Sequence, residues 1–197
     1  KALPAYIAKG IEYELLNPVL ATFDLEKLGK AINHERDQQF TYLGLQTLYD
    51  RYFIHKDGVR FELPQVFFMR VAMGLAIEEK QKEDRAIEFY NLLSSFDYMA
   101  STPTLFNAGT THEQLSSCFL LDSPTDSLES IYSRYGDIAQ LSKFSGGIGV
   151  SWTRVRSRGS LIRSTNGYSN GIVPWLKTLD SSVAAVNQGG KRKGAAC

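Results

Sequence analysis

A change of texture near Tyr98 constrains this chain more than any other feature. Before it, apolar residues recur every three or four positions, the period of helices with one buried face. After it, glycines and hydroxyl side chains take over and the apolar runs become short. A helical lead followed by alternating short strands and helices is the pattern of an α/β layer or barrel. The expected fold class is therefore α/β, with a mainly helical region over residues 1–95 and an α/β layer or barrel over residues 96–197.

Within the lead, Ile7, Ile11, Leu15 and Leu16 fall at near-helical spacing until Pro18 interrupts them, and a short helix is expected from Phe23 to Asn33. From Gln39 to Tyr52 the residues Phe40, Leu43, Leu45, Leu48, Tyr49 and Tyr52 form the stripe of an amphipathic helix, read as core-facing. Asp57-Gly58 between two β-prone runs signals a hairpin. Pro64 opens a helix running to about Lys80, since proline suits a first helical turn, and another helix spans Glu83 to Ser95. Ser101 to Thr104 reads as extended or turn-like, because the residue before a proline avoids the helical region. Ser116 to Leu121 reads as a buried strand. Asp126 is expected to cap a helix reaching Phe144, with Glu129 three residues on completing a capping-box pattern. Ile148 to Trp152 is strand-like, and a last helix spans Ile172 to Val186.

Hydrophobic residues make up 43% of the chain and charged residues 22%, which fits a soluble globular protein, and the formal net charge is only +1. No overall field draws such a chain to nucleic acid or an anionic membrane, so any anion site must be local. No apolar run has the length of a membrane span, and the mixed opening KALPAYIAKG is not a secretory signal. Two cysteines do not make a disulfide scaffold; a reducing, cytoplasmic setting is expected. The absence of an initiator Met and the close on the glycine-rich QGGKRKGAAC read as cut ends.

Several groups suit phosphate. Thr102, Thr104, Ser116 and Ser117 are hydroxyls beside short apolar runs. Gly146, Gly147 and Gly149 permit close backbone approach, and the helix start at Asp126 offers free N–H groups. Each also has a plain reading as a turn or cap. Arg154, Arg156 and Arg158, spaced by two, would share one face of an extended segment, either as phosphate ligands or as a solvated edge strand; Arg163 follows. Lys191-Arg192-Lys193 sits in a glycine-flanked loop. Cys118 is an inert strand cysteine or, beside Ser116 and Ser117, a redox thiol. His34, His55 and His112 lack metal-ligand spacing, so no metal site is expected, and no Ser-His-Asp set is seen.

Together these runs resemble a known family. Thr102-Pro103-Thr104 with Asn107-Ala108-Gly109, Gln114-Leu115-Ser116-Ser117-Cys118, Asp126-Ser127-Leu128, Ser145-Gly146-Gly147-Ile148-Gly149, Arg154-Val155-Arg156 with Gly159-Ser160, Gly171-Ile172-Val173-Pro174 and Gln188-Gly189-Gly190-Lys191-Arg192-Lys193-Gly194-Ala195 look like the large (catalytic) subunit of class I ribonucleotide reductase, in order and at family-like spacing. The resemblance implies a ten-stranded α/β barrel behind a helical region, and replacement of the ribose 2′-hydroxyl by hydrogen through radical and dithiol chemistry. It implies that Thr104 and Ser117 hold substrate phosphates, that Gly147 meets the substrate through its backbone, and that Cys118 is one of two thiols that end as a disulfide. Asp126, Ser127 and Arg156 would bind a deoxynucleotide or ATP effector, under a loop containing Ser160 and Ile162. Gln188 and Arg192 would reach from the loop that relays effector identity to the substrate.

No cofactor is expected in the chain itself. The implied partners are a ribonucleoside diphosphate, a second copy of the chain, a metal-containing small subunit that supplies the radical, and thioredoxin or glutaredoxin as reductant. The family's radical cysteine, the disulfide partner of Cys118 and the relay tyrosines would lie beyond residue 197, and its N-terminal ATP cone is not seen. A complementary C-terminal chain or segment is therefore expected, and these 197 residues alone are expected not to reduce ribonucleotides. Cys197 matches no catalytic position of the family; a split gene, an intein junction or a trimmed chain would each leave it there. An adenosylcobalamin-dependent reductase of the same superfamily and a non-catalytic nucleotide-binding module are the rival readings.

Overall fold

A computed structural model describes residues 2–143, 147–186 and 194–197. They form two compact units, Lys1–Leu115 and Ser116–Cys197.

The first unit is built around one helix. Its helices are α1 (Ala2–Glu12), α2 (Leu25–Ala31), α3 (Tyr42–Arg51), α4 (Pro64–Leu75), α5 (Lys82–Ser94) and α6 (Thr102–Asn107), with 3-10 turns at Pro18–Thr22 and His34–Gln39. The α4 sequence PQVFFMRVAMGL is apolar on nearly every side, and every residue from Pro64 to Gly74 is buried. A helix without a polar face has to lie inside. α4 ends at Leu75, a turn before the expected Lys80. Short polar side chains start the outer helices: Asp24 accepts from the Lys27 N–H at 2.9 Å and Thr41 from the Gly44 N–H at 3.2 Å, satisfying donors the helix leaves orphaned. The expected hairpin forms, with β1 (His55–Lys56) and β2 (Val59–Arg60) antiparallel and both Asp57 and Gly58 at positive φ.

Two expectations for this unit are corrected. The α3 stripe faces the core only in part: Leu48 is buried and Phe40 and Tyr52 pack against the core partly buried, while Leu43 is 74% exposed and Leu45 and Tyr49 are exposed too. Second, Thr102 to Asn107 is helical rather than extended. Pro103 occupies the first turn, where its missing N–H costs nothing. Residues 96–115 carry the texture of the later chain but belong to this unit, with Leu105 and Ala108 buried in its core.

The second unit is a parallel layer. β3 (Cys118–Leu121), β4 (Gly147–Val150) and β7 (Ala195–Ala196) pair in the order β3-β4-β7. α7 (Leu128–Lys143) connects the first two strands and α8 (Val173–Val186) precedes the third. Ile131, Tyr135 and Ile138 of α7, Leu179 and Val183 of α8, and Ile148 and Val150 of β4 form the core with Trp152 and Val155. β3 is not the buried strand expected: Cys118 and Leu120 point away from the helices, and Leu120 is 91% exposed. Before α8 the chain makes a small hairpin, β5 (Leu161–Ile162) with β6 (Gly167–Tyr168). The Asn166-Gly167 pair is its signal in the sequence, with Asn166 at positive φ. Among the described residues no helix is long and apolar enough to cross a membrane.

One core group of this unit gives a pH signature. The Tyr135 hydroxyl donates to the Trp175 carbonyl at 2.6 Å. Burial, and then the neighbouring Tyr132, push the Tyr135 phenol up to about 12. A solvated tyrosine ionises near pH 10. The folded state thus holds a proton that the unfolded chain releases first, so its stabilising contribution is complete below about pH 10 and lost as the pH climbs through 12. Both tryptophans, Trp152 and Trp175, lie in this unit, so their fluorescence follows it alone. Tyr135→Phe is expected to cost about 1 kcal/mol at neutral pH and to flatten the alkaline loss of stability; equal alkaline slopes in the two proteins would contradict this account.

Candidate functional site

The loops at one end of the parallel layer fold against the start of α7. Ser127, not Asp126, is the residue that caps this helix: its hydroxyl accepts from the Ser130 N–H at 3.2 Å, and Ser130 Oγ accepts from the Thr125 N–H at 2.9 Å. The cap expected at Asp126 is thus displaced by one residue, which frees the Asp126 carboxylate for a distant partner. Asp126 Oδ2 accepts from Arg156 Nε at 2.6 Å, and its Oδ1 accepts from the Arg156 backbone N–H at 3.2 Å. Arg156 also donates from Nη1 to the Leu161 carbonyl at 3.2 Å, tying the β5–β6 hairpin to the helix start.

The arginines do not line up on one face. The segment after Trp152 turns, with the Val155 N–H closing on the Trp152 carbonyl, so the two-residue spacing no longer fixes direction. Arg154 pairs with Asp122 at 2.7 Å and Arg156 with Asp126. These separate carboxylates replace the expected shared stripe.

Around the Asp126–Arg156 pair lies a cleft of about 430 Å³, lined by Asp126, Ser127, Arg156 and Ile162 among others. A second hollow of about 360 Å³ adjoins it, bordered by Asp126, Arg156, Ser160, Ile162 and Arg163. All five residues that the resemblance assigns to the effector therefore line these two hollows, which share Asp126, Arg156 and Ile162, although 36 positions separate the first from the last in Asp126 to Ile162. The sequence reading missed Ser164, Thr165, Ser169 and Trp175 on the cleft wall; the first two lie in the loop between β5 and β6 and Ser169 follows β6, where no periodicity marks direction. Guanidinium has five N–H donors. Asp126 and Leu161 leave N–H groups on both Nη atoms of Arg156 available to an anion. The first turn of α7, with its partial positive charge, opens on the same cleft.

The residues assigned to substrate are distributed differently. Ser117, Cys118 and Gly147 meet across β3 and β4: the Gly147 N–H donates to the Ser117 carbonyl at 2.8 Å, Cys118 stands opposite Gly147 in register, and a Cβ at Gly147 would lie 3.4 Å from Cys118 Sγ. Cys118 is an exposed free thiol. Cys197 is also free and follows β7, on the far side of β4. Two strand spacings of about 4.8 Å separate β3 from β7, beyond the roughly 7 Å Cα limit of a disulfide, so the two thiols do not form a pair within this sheet. Thr104 belongs to the first unit, where its hydroxyl donates to the Leu115 carbonyl at 3.3 Å. Gln188 and Arg192 lie outside the described residues. Among the described residues no three His, Cys, Asp or Glu side chains gather as metal ligands.

A helical unit leading into parallel strands, with an exposed thiol at one strand and a cation-bearing polar cleft in the loops, is an α/β arrangement suited to nucleotide-like anions. Comparison with known proteins gives it a family. The profile described as "Ribonucleotide reductase, all-alpha domain" matches residues 38–113, and "Ribonucleotide reductase, barrel domain" matches residues 116–197. The ribonucleoside-diphosphate reductase subunit alpha of Chlamydia trachomatis is 54% identical over 192 residues, covering 98% of this chain and 18% of the relative. That of Helicobacter pylori is 49% identical over 175 residues, covering 88% and 22%. The large chain from Neurospora crassa is 45% identical over 171 residues, covering 86% and 18%. The chain belongs to the ribonucleotide reductase large-subunit family, of which it holds the all-alpha region and the start of the barrel domain. It spans about a fifth of the length of the curated relatives it matches.

Proposed function

We propose that this chain is the nucleotide-contacting part of a class I ribonucleoside-diphosphate reductase catalytic subunit. The gathering of Asp126, Ser127, Arg156, Ser160 and Ile162 around two hollows that share the Asp126–Arg156 pair carries the reading. In it, a deoxynucleoside triphosphate or ATP places its phosphates on the Arg156 guanidinium and the α7 start, while Asp126 keeps that guanidinium oriented. Guanidinium forks suit phosphate oxygens, and a helix N-terminus favours anions. In the second unit Ser117 holds phosphate of a ribonucleoside diphosphate, and the Gly147 backbone, lacking a Cβ, lets the substrate approach Cys118; in the first unit Thr104 is a phosphate ligand by the family resemblance.

In the reaction the ribose 2′-hydroxyl leaves as water, hydrogen takes its place, and two thiols are oxidised to one disulfide. Cys118 supplies one of them, and the geometry above argues against Cys197 as the other. A metal-containing small subunit supplies the radical; thioredoxin or glutaredoxin returns the disulfide to thiols; a second copy of the chain and a further catalytic segment complete the enzyme. Gln188 and Arg192 act as the reaching side chains of the loop between effector and substrate. The relatives' names lend no support to the adenosylcobalamin-dependent reading or to a non-catalytic module.

Calorimetric titration with dTTP and dATP tests the cleft. The parent chain is expected to bind, and Arg156→Ala to weaken binding at least tenfold, since a charge-assisted hydrogen bond contributes about 1.5–3 kcal/mol. Equal affinity in the two proteins would remove Arg156 from the site.

A further inference from the structure

The first unit contains a charged group that its packing alone does not require. Arg70 lies in the middle of α4 and Glu62 just before it, and both side chains are fully buried. Arg70 Nε donates to Glu62 Oε1 at 2.6 Å. The carboxylate is itself held, by the Tyr6 hydroxyl on one oxygen and the Ile54 N–H at 2.7 Å on the other. So aimed, the guanidinium sends its other donors to one target. Nη1 reaches the Ala108 carbonyl at 2.7 Å and Nη2 the Leu105 carbonyl at 3.2 Å. These carbonyls end α6, whose last turn has no helical partners for them.

α6 has six residues, too few to hold a helix by its own hydrogen bonds. Its third residue is Thr104. Apolar residues of similar volume would commonly stabilise a core as well as a buried ion pair does, so stability does not explain the choice. Direction does: only a planar, multi-donor cation can reach Glu62 and two separate carbonyls at once.

We infer that Arg70, aimed by Glu62, is a positioning residue that sets the α6 turn and thereby the Thr104 hydroxyl for a substrate phosphate. The inference rests on the reading of Thr104 given above.

Two variants test it. Arg70→Lys keeps a cation beside Glu62 but cannot span both carbonyls. The double variant Glu62→Gln/Arg70→Met removes both charges and leaves the carbonyls uncapped, with the unfolding midpoint expected to fall because those acceptors lose their donors. Hydrogen exchange is read at the Leu105 and Ala108 amides, which close on the Ser101 and Thr104 carbonyls. Binding of inorganic pyrophosphate is read beside a Thr104→Val reference, and dTTP binding serves as a control on the other unit.

In both variants exchange at these two amides should rise at least tenfold and pyrophosphate binding should weaken at least tenfold, as in Thr104→Val, with dTTP binding unchanged. Unaltered exchange, or altered exchange with unaltered pyrophosphate binding, overturns the inference. A parent chain that does not bind pyrophosphate overturns the Thr104 reading and the inference with it, and the parent alone identifies that case. If the double variant fails to fold, Arg70→Lys carries the test.

Discussion

Replacing Glu62 by leucine is expected to lower the stability of the helical unit by about 3–5 kcal/mol, the range for breaking a buried ion pair from one side. The loss has three parts. The Arg70 guanidinium, with no exposed surface, keeps its charge and loses its counter-ion. The Tyr6 hydroxyl and the Ile54 N–H lose their shared acceptor. Burial, the largest influence raising the Tyr6 phenol above its usual range, remains after the substitution. The effect belongs in far-UV circular dichroism, which this helical unit dominates, while tryptophan fluorescence follows the other unit. A loss below about 1 kcal/mol, the level of an exposed pair, would mean that water reaches Arg70 and that the pair is not buried in solution.

Gly74→Ala is expected to destabilise the same unit by close to 3 kcal/mol, the upper end of the range for overpacked cores. A Cβ at Gly74 would lie 2.2 Å from the Gly109 nitrogen and 2.6 Å from the Ala108 carbonyl carbon. Both are backbone atoms in the turn that Arg70 caps, so no side chain can swing aside. Gly109 is itself at positive φ, with the Arg70 carbonyl 2.9 Å from where its own Cβ would be. The turn is therefore fixed from both sides. Gly136→Ala is the matched control: Gly136 lies within α7 with nothing near the added methyl, and alanine there should stabilise by roughly 0.5–1 kcal/mol. Denaturant midpoints of the two variants should move in opposite directions. A neutral Gly74→Ala would mean that α4 and the turn after α6 are further apart than described.

Sequence legibility followed the range of the forces. α4 was readable because an apolar run led by Pro64 has few alternatives, and the Asp57-Gly58 hairpin because its turn needs two residues at positive φ. Asp126, Ser127, Arg156, Ser160 and Ile162 stand far apart in the sequence, and the fold brings them to two hollows that share Asp126, Arg156 and Ile162. Spacing failed where a side chain's direction was decided from outside its own element. The two-residue rhythm of Arg154, Arg156 and Arg158 implied a common face, but Asp122 and Asp126 draw the first two to different places. The stripe on α3 implied burial throughout, but only Leu48 is buried, Phe40 and Tyr52 are partly so, and Leu43 and Tyr49 stay exposed.

The sequence by itself determined the order of the elements, helical first and parallel α/β after, because period, proline and glycine act within a few residues of themselves. It also determined the family, through runs that keep their order along the chain. Tertiary structure alone decided that Asp126 turns from capping α7 to holding Arg156, and that Arg70 ends α6 through Glu62. Those partners stand 30 and about 35 positions apart, and an ion pair or a capped carbonyl is defined by distance in space, on which sequence separation sets no limit.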